Sequence, residues 1–221
     1  MDKALIIGAS GGIGRAVSTA LAARGVAVTG LSRSGNGLDL TDEASVMAAL
    51  GALKAPFDLI LVATGALEID GAEPEKALRQ ITPRAIMDQF ALNCLGPALI
   101  LKHAVRLLPR DRRCIFAALS ARVGSIGDNR SGGWYGYRAA KAALNQVLHT
   151  GAIELARTHK GAICVALHPG TVATPFTGKY LGRHPAVAPD AAAARLLSVL
   201  DGLTPADTGQ FFDWQGKRVP W

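Results

Sequence analysis

Three short groups of residues in this 221-residue chain could do chemistry together. The first is Gly8-Ala9-Ser10-Gly11-Gly12-Ile13-Gly14. Glycines let a backbone turn sharply and lie against a pyrophosphate, and a helix that begins there points its free amides and its positive end at the anion. The second is Leu31-Ser32-Arg33-Ser34, at the distance where a dinucleotide site keeps a carboxylate for a ribose 2′-hydroxyl or a cation for a 2′-phosphate. Ser32 and Arg33 suit the phosphate, so NADP(H) is expected over NAD(H). A solvated arginine at a strand end is the plain alternative. The third is Tyr137-Arg138-Ala139-Ala140-Lys141. On a helix, side chains four apart share a face, so a Lys141 ammonium beside Tyr137 would lower the phenol from its usual value of about 10 toward neutrality. Such a phenol can exchange a proton with a substrate oxygen.

Positioning these groups requires a regular scaffold, and the apolar pattern supplies one. Strands are expected at 4–7, 26–31, 57–63, 114–119, 162–167 and 210–213, and helices at 12–24, 42–53 with Thr41 as N-cap, 83–108, 135–158 and 191–203. Strands without polar alternation, separated by helices, indicate a parallel sheet covered on both faces. The expected fold is a doubly wound α/β sheet of the Rossmann type, as a single domain over residues 1–221. One stretch is irregular: only seven residues separate Leu31 from Asp39, too few for a crossover helix before a strand at 38–40.

Composition excludes several other classes. Hydrophobic residues make up 49% and charged residues 19%, which is not the signature of disorder. Net charge is +7, yet the cations are dispersed and aromatics are only 5%, so nucleic acid is not an expected partner. The one dense run, Lys102, His103, Arg106, Arg110, Arg112 and Arg113, reads as the solvated face and C-terminal end of a helix. Cys94, Cys114 and Cys164 are too far apart for a zinc site and odd in number, so neither metal nor a disulfide framework is expected. No signal-peptide pattern or membrane-length apolar run is present, and a cytoplasmic location is expected. His103, His149, His159 and His184 read as ordinary surface or packed histidines, while His168 adjoins a further motif described next.

Taken together, the ordered motifs resemble the short-chain dehydrogenase/reductase family over nearly the whole chain. Gly8, Gly12 and Gly14 are spaced like its GxxxGxG turn, Asp39-Leu40 resembles its adenine-contacting pair, Asn93 its mid-helix asparagine, and Tyr137/Lys141 its YxxxK. His168-Pro169-Gly170-Thr171-Val172-Ala173-Thr174 resembles its PG segment. The segments from Ser120 to Asn129 and from Gly132 to Tyr135, with Phe211-Phe212-Asp213-Trp214, resemble the C-factor branch. The resemblance implies that Tyr137 delivers a proton to a carbonyl oxygen, that Lys141 tunes it and binds the nicotinamide ribose, and that Asn93 positions a relay water. It implies a cofactor held by Gly8, Ser10, Gly12, Ile13, Gly14, Ser32, Arg33, Asp39, Leu40, Ala63, Gly65, Tyr137, Lys141, Pro169, Gly170, Val172 and Thr174.

Two departures from the family pattern stand out besides the short 31–39 stretch. Ala121 occupies the place of the catalytic serine, so the donor to the substrate oxygen is expected from Ser120, with Ser125 as the other candidate. The NNAG segment reads Val62-Ala63-Thr64-Gly65. Residues 175–189, with Phe176, Tyr180 and Leu181, are expected to form a short substrate lid. Trp134 and Tyr135 serve equally well as pocket wall or as packing. The expected activity is NADP(H)-dependent hydride transfer to or from a small or medium carbonyl or alcohol; a dinucleotide-binding sensor or signalling protein without turnover is the alternative. The apolar content of helices 83–108 and 135–158 points to a homodimer or homotetramer.

Overall fold

Runs of Ile, Leu, Val and Ala with no polar alternation become the strands of one six-stranded, all-parallel sheet. The computed structural model describes residues 1–54, 56–174, 177–178 and 186–221. In chain order the elements are β1 (Lys3–Ile7), α1 (Gly12–Ala23), β2 (Ala27–Leu31), a one-turn helix α2 (Arg33–Asn36), α3 (Glu43–Gly51), β3 (Leu59–Val62), α4 (Pro83–Phe90), a π-helical segment (Ala91–Leu95), α5 (Gly96–Ala104), β4 (Cys114–Leu119), α6 (Tyr135–Thr158), β5 (Ala162–His168), α7 (Pro189–Gly202) and β6 (Phe211–Asp213). The strand order is β2-β1-β3-β4-β5-β6. Because the chain steps outward from β1 to β2 and then back across to β3, the sheet has its switch point between β1 and β3, the place where such sheets open a crevice at their carboxyl ends.

Alternate residues of each buried strand feed two cores. Leu5, Ile7, Ile60, Val62 and Phe116 pack with α3, α5 and α6, and Ala4, Ile6, Leu59, Leu61 and Ile115 pack with α1 and α7. The short stretch after β2 resolves as follows. Ser32 caps the one turn of α2 by accepting from the Gly35 amide, and Gly37 closes it in the left-handed conformation at φ 71°. Leu38 and Leu40 are buried without forming a strand, so the sheet lacks a strand there and only the one-turn α2 stands in place of a crossover helix. The N-cap of α3 is Asp42, which accepts from the Ala44 amide, and not the expected Thr41, whose hydroxyl bonds Asp39.

The expected helix over 83–108 is divided by the π-helical segment. The basic run is exposed as expected, His103 only partly, and most of its side chains have partners. Lys102 and His103 both bond Glu43, Arg106 donates to the Leu50 carbonyl, Arg112 pairs with Asp58 at 3.0 Å, and Arg113 donates to the Leu200 and Leu203 carbonyls. Burial raises the Asp58 carboxyl, but the amides of Asp2 and Lys3 together with Arg112 more than reverse that and leave it below its ordinary range. These cations tie α5 and the turn after it to α3, and the chain before β4 to α7 and to the start of β3. No helix among the described residues is long and apolar enough to cross a membrane, and none of them group as three or more metal-ligating side chains.

Candidate active site

The glycine turn follows β1 at the switch point. Gly8 has φ +87°, and its amide and that of Ala9 bond the Leu31 carbonyl at the end of β2. A Cβ on Gly14 would lie 2.2 Å from the Gly8 carbonyl oxygen, so only glycine lets α1 begin this close to the turn. A Cβ on Gly12 would lie 2.6 Å from Thr174 Cγ2, which brings the PG segment against the start of α1. That segment is fastened on its far side: the Ala173 amide bonds the Val187 carbonyl, and the Val187 amide bonds the Thr171 carbonyl. Gly170, at φ +77°, lies under Trp214, whose ring is covered in turn by the Arg195 guanidinium at 4.3 Å. Ala63 donates to the Ile7 carbonyl, and Thr64 Oγ1 beside Gly8 is buried with no hydrogen-bond partner among the described residues. Backbone close to backbone, a helix start and an unsatisfied hydroxyl fit a dinucleotide pyrophosphate and ribose. Ser10 and Ile13 lie on the same turn.

At the β2 end, Arg33 is exposed and Ser32 is buried. Asp39 Oδ1 accepts from the Thr41 hydroxyl and amide, which with Arg33 nearby hold its carboxyl below the usual range. Leu40 packs against Gly96 at the start of α5.

The catalytic candidates meet where α6 begins. Tyr137 and Lys141 are buried, with the ammonium 5.8 Å from the phenol ring centroid. Lys141 Nζ donates to the Leu119 carbonyl at 2.8 Å, at the end of β4. Gly65, at φ +152°, completes the corner: a Cβ there would come within 2.8 Å of Asn93 Oδ1 and 3.5 Å of Lys141 Nζ. Asn93 is fully buried in the π-helical segment, accepts from the Ala66 amide, and donates to the Ala66 carbonyl and to Gln89 Oε1 at 2.7 Å. In an α-helix its own carbonyl would take the amide of residue 97, and Pro97 has none.

Two expectations change here. Burial pushes Tyr137 up from its ordinary value, so the nearby lysine does not lower it in the protein by itself. The same burial brings Lys141 down to about 8, against a small opposing effect from the Cys94 thiol. A protonated phenol next to an ammonium poised near neutral pH is an acid with a replenishing partner. The second change concerns Ser120. Its hydroxyl donates to Asn145 Oδ1 on α6 at 2.6 Å, and a hydroxyl has a single proton to give. The chain stays extended through Ala121 (φ −142°, ψ 144°), with no bulge to re-aim Ser120. Ser125 is buried, and its Oγ accepts from the Asp128 amide. His168 is neutral at ordinary pH, its value brought to about 4 by burial and Arg122.

Residues that sequence reasoning passed over complete the corner. Gln89 stands four before Asn93, a helical spacing that could have flagged it. Asn145, Arg138 and Glu75 act through contacts that no local spacing announces. Arg138 donates to the carbonyls of Gly132, Gly133 and Val123. Trp134 adopts φ +53°, a conformation that costs a non-glycine residue about 1–2 kcal/mol, and its ring meets Tyr137 edge-on at 6.3 Å. The lid residues Phe176, Tyr180 and Leu181, and Pro175 beside them, lie outside the described residues.

Comparison with known proteins agrees with this geometry. Residues 2–183 match the short chain dehydrogenase family. The chain is 32% identical over 237 aligned positions, covering all of both proteins, to 1-hydroxy-2-glutathionyl-2-methyl-3-butene dehydrogenase of Rhodococcus sp. (strain AD45). It is 37% identical over 132 positions, 60% of this chain and 76% of its relative, to C-signal of Myxococcus xanthus. Among solved structures, a Burkholderia multivorans protein described as a short-chain dehydrogenase/reductase, with bound NADP, superimposes with a TM-score of 0.81 at 25% identity, over 100% of this chain and 99% of that one. The NADPH-bound carbonyl reductase of chicken fatty liver shares the fold with a TM-score of 0.86 at 24% identity, over 100% and 99%. A sheet with its switch point at a glycine turn, a buried Tyr137–Lys141 pair beside it and a family match across most of the chain have one joint explanation: this protein belongs to the short-chain dehydrogenase/reductase family and is an NAD(P)-dependent oxidoreductase.

Proposed function

We propose that the protein reduces a small or medium carbonyl compound with NADPH, or oxidises the corresponding alcohol with NADP+. The observation that carries this reading is the buried corner in which Tyr137, Lys141, Asn93 and Gly65 converge. The bound nicotinamide supplies or accepts the hydride. Tyr137 holds the proton for the substrate oxygen at its Oη, and its burial keeps that proton on until the oxygen develops charge. Lys141 binds the ribose and returns the proton. Asn93, in the π-helical segment, positions a water on the same route. Gly8, Ser10, Gly12, Ile13, Gly14, Ala63, Pro169, Gly170, Val172 and Thr174 cradle the cofactor, and Asp39 with Leu40 borders its adenine.

Preference for NADP(H) is supported by exposed Arg33 and by the Ser32 hydroxyl, which caps α2 by accepting and keeps its own proton to donate. Ala121 favours a second reading, a dinucleotide sensor without turnover, because the usual serine donor is missing. The Tyr137–Lys141–Asn93 corner favours turnover, which is the reading adopted. A panel of ketones, aldehydes, quinones and glutathione-conjugated alcohols, the last suggested by the name of the Rhodococcus relative, with NADPH and NADP+ tests it. Turnover of at least one compound that disappears in Tyr137→Phe supports the reading; tight NADPH binding without turnover on any of them transfers it to the sensor.

The chain works as one domain. It pairs with a second copy through the groove between α5 and α6, lined by Leu101, Val105 and Val147, where Gly151 lets the helices approach closely. Sedimentation showing only a 23.0 kDa species at micromolar concentration would remove that pairing. A cytoplasmic location is supported by three buried, unpaired thiols.

A further inference from the structure

The 24-residue helix α6 carries its tyrosine in the first turn, where helices fray, and its own N-cap residue cannot prevent that. Trp134 stands at the N-cap with no side-chain hydrogen bond to the helix. The chain reaches it through three consecutive left-handed residues, Gly132, Gly133 and Trp134, at φ 61°, 66° and 53°. What holds this turn comes from 61 residues earlier in the sequence. Glu75 Oε2 accepts from the Gly136 amide at 3.1 Å, and the Glu75 carbonyl accepts from the Trp134 amide at 2.5 Å. These two amides lie on either side of Tyr135, and Tyr137 follows directly.

The Glu75 side chain is an unusual thing to bury for packing alone. It is 5% exposed, no cation pairs with it among the described residues, and its Oε1 has no hydrogen-bond partner there. Such a carboxylate is costly unless something offsets it, and the positive end of a long helix does so. The absence of a side chain at Gly136 makes the approach possible, since a Cβ would sit 3.0 Å from Glu75 Oε1 and 3.3 Å from Gln89 Cγ. Gln89 in turn binds Asn93 and the Leu67 carbonyl, so one corner connects the loop after β3, the asparagine and the helix that bears Tyr137.

We propose that Glu75 is a positioning residue: an N-cap supplied from a distant loop that fixes the first turn of α6 and thereby the place of Tyr137. This rests on the reading of Tyr137 as proton donor, but its first test does not need turnover. In the ligand-free protein, amide hydrogen exchange in the 133–137 segment of Glu75→Ala should accelerate at least tenfold, with the rest of α6 unchanged. Glu75→Gln keeps an oxygen acceptor and should exchange within threefold of wild type. With NADPH and the best carbonyl compound of the panel, Glu75→Ala should lose at least tenfold in kcat while NADPH Kd, read by fluorescence, moves less than threefold; Glu75→Gln should recover kcat.

A residue that served folding alone would lower Tm and leave kcat of the folded fraction intact, which overturns the proposal. So does wild-type exchange at 133–137 in Glu75→Ala, or a Glu75→Gln that keeps slow exchange and still loses kcat. Should Glu75→Ala not fold, Glu75→Gln decides alone on its exchange and kcat together. If wild type turns over nothing, the functional reading fails, while the exchange comparison still decides whether Glu75 caps the helix.

Discussion

The glycine turn and the stretch after β2 are shaped by bonds between chain neighbours before they dock on Leu31, Thr64 and Thr174, whereas the corner around Tyr137 owes even its internal bonds to residues far apart in the sequence. In the first, Gly11 bonds Gly8, Ser32 caps Gly35, Asp39 takes Thr41 and Asp42 caps Ala44, all within three residues. In the second, Lys141 reaches Leu119, Ser120 reaches Asn145, Asn93 reaches Ala66 and Glu75 reaches Gly136, over 22 to 61 residues. A locally built corner forms wherever its own residues permit, and each of its parts can be altered separately. A corner built from distant segments exists only when the whole sheet is in place, and its parts share partners, so their effects do not add.

The largest expected effect sharpens this contrast at the distant corner. On the proposed reading Tyr137→Phe removes the acid offered to the substrate oxygen and should lower kcat by roughly 10²–10⁴-fold. Its NADPH affinity should hardly change, because the glycine turn is untouched; steady-state kinetics beside a fluorescence titration separates the two. At the local corner, Arg33→Ala should weaken NADPH about tenfold or more through loss of one charge-assisted bond of about 1.5–3 kcal/mol, and leave NADH affinity as it was. Equal loss for both cofactors would show that Arg33 does not meet a 2′-phosphate.

The pH dependence comes from Lys141. Its value of about 8 lies below its ordinary 10.5, so the ammonium is present below pH 8 and is lost above it. NADPH affinity should therefore weaken several-fold as pH rises from 7 to 9. The stability of the fold moves the other way: between about 8 and 10.5 the unfolded chain still holds a proton that the native state has released, so Lys141 contributes increasing stability as pH rises. Weaker binding alongside a Tm that does not fall over pH 7–9 is the expected pair of results, and a flat affinity profile would remove Lys141 from the cofactor site. The smallest effect is that of Ser120→Ala. It leaves Asn145 Oδ1 without its donor and should cost about 1–3 kcal/mol in denaturant unfolding, with kcat within about threefold of wild type. A hundredfold loss of rate would restore Ser120 as the oxyanion donor, since that is about what removing such a donor costs.

Much of the molecule was determined by sequence alone, for physical reasons that operate at short range. Unalternated apolar runs fix β4 at Cys114–Leu119 and the other parallel strands, the repeat of buried positions fixes α6 at Tyr135–Thr158, and Gly8 and Gly14 allow the turn that no other residue would. The helical spacing of Tyr137 and Lys141 sets their shared face before any tertiary contact forms. Tertiary structure decided what those side chains are chemically. Burial raises the phenol and brings the ammonium to about 8, and neither follows from spacing. It also decided that Ser120 serves Asn145, that the segment at 91–95 widens into a π turn, and that Leu38 and Leu40 are buried without pairing in the sheet. Proton affinity and the choice of hydrogen-bond partner depend on which distant segments exclude water from a group, and a linear sequence shows distant segments only after the sheet has brought them together.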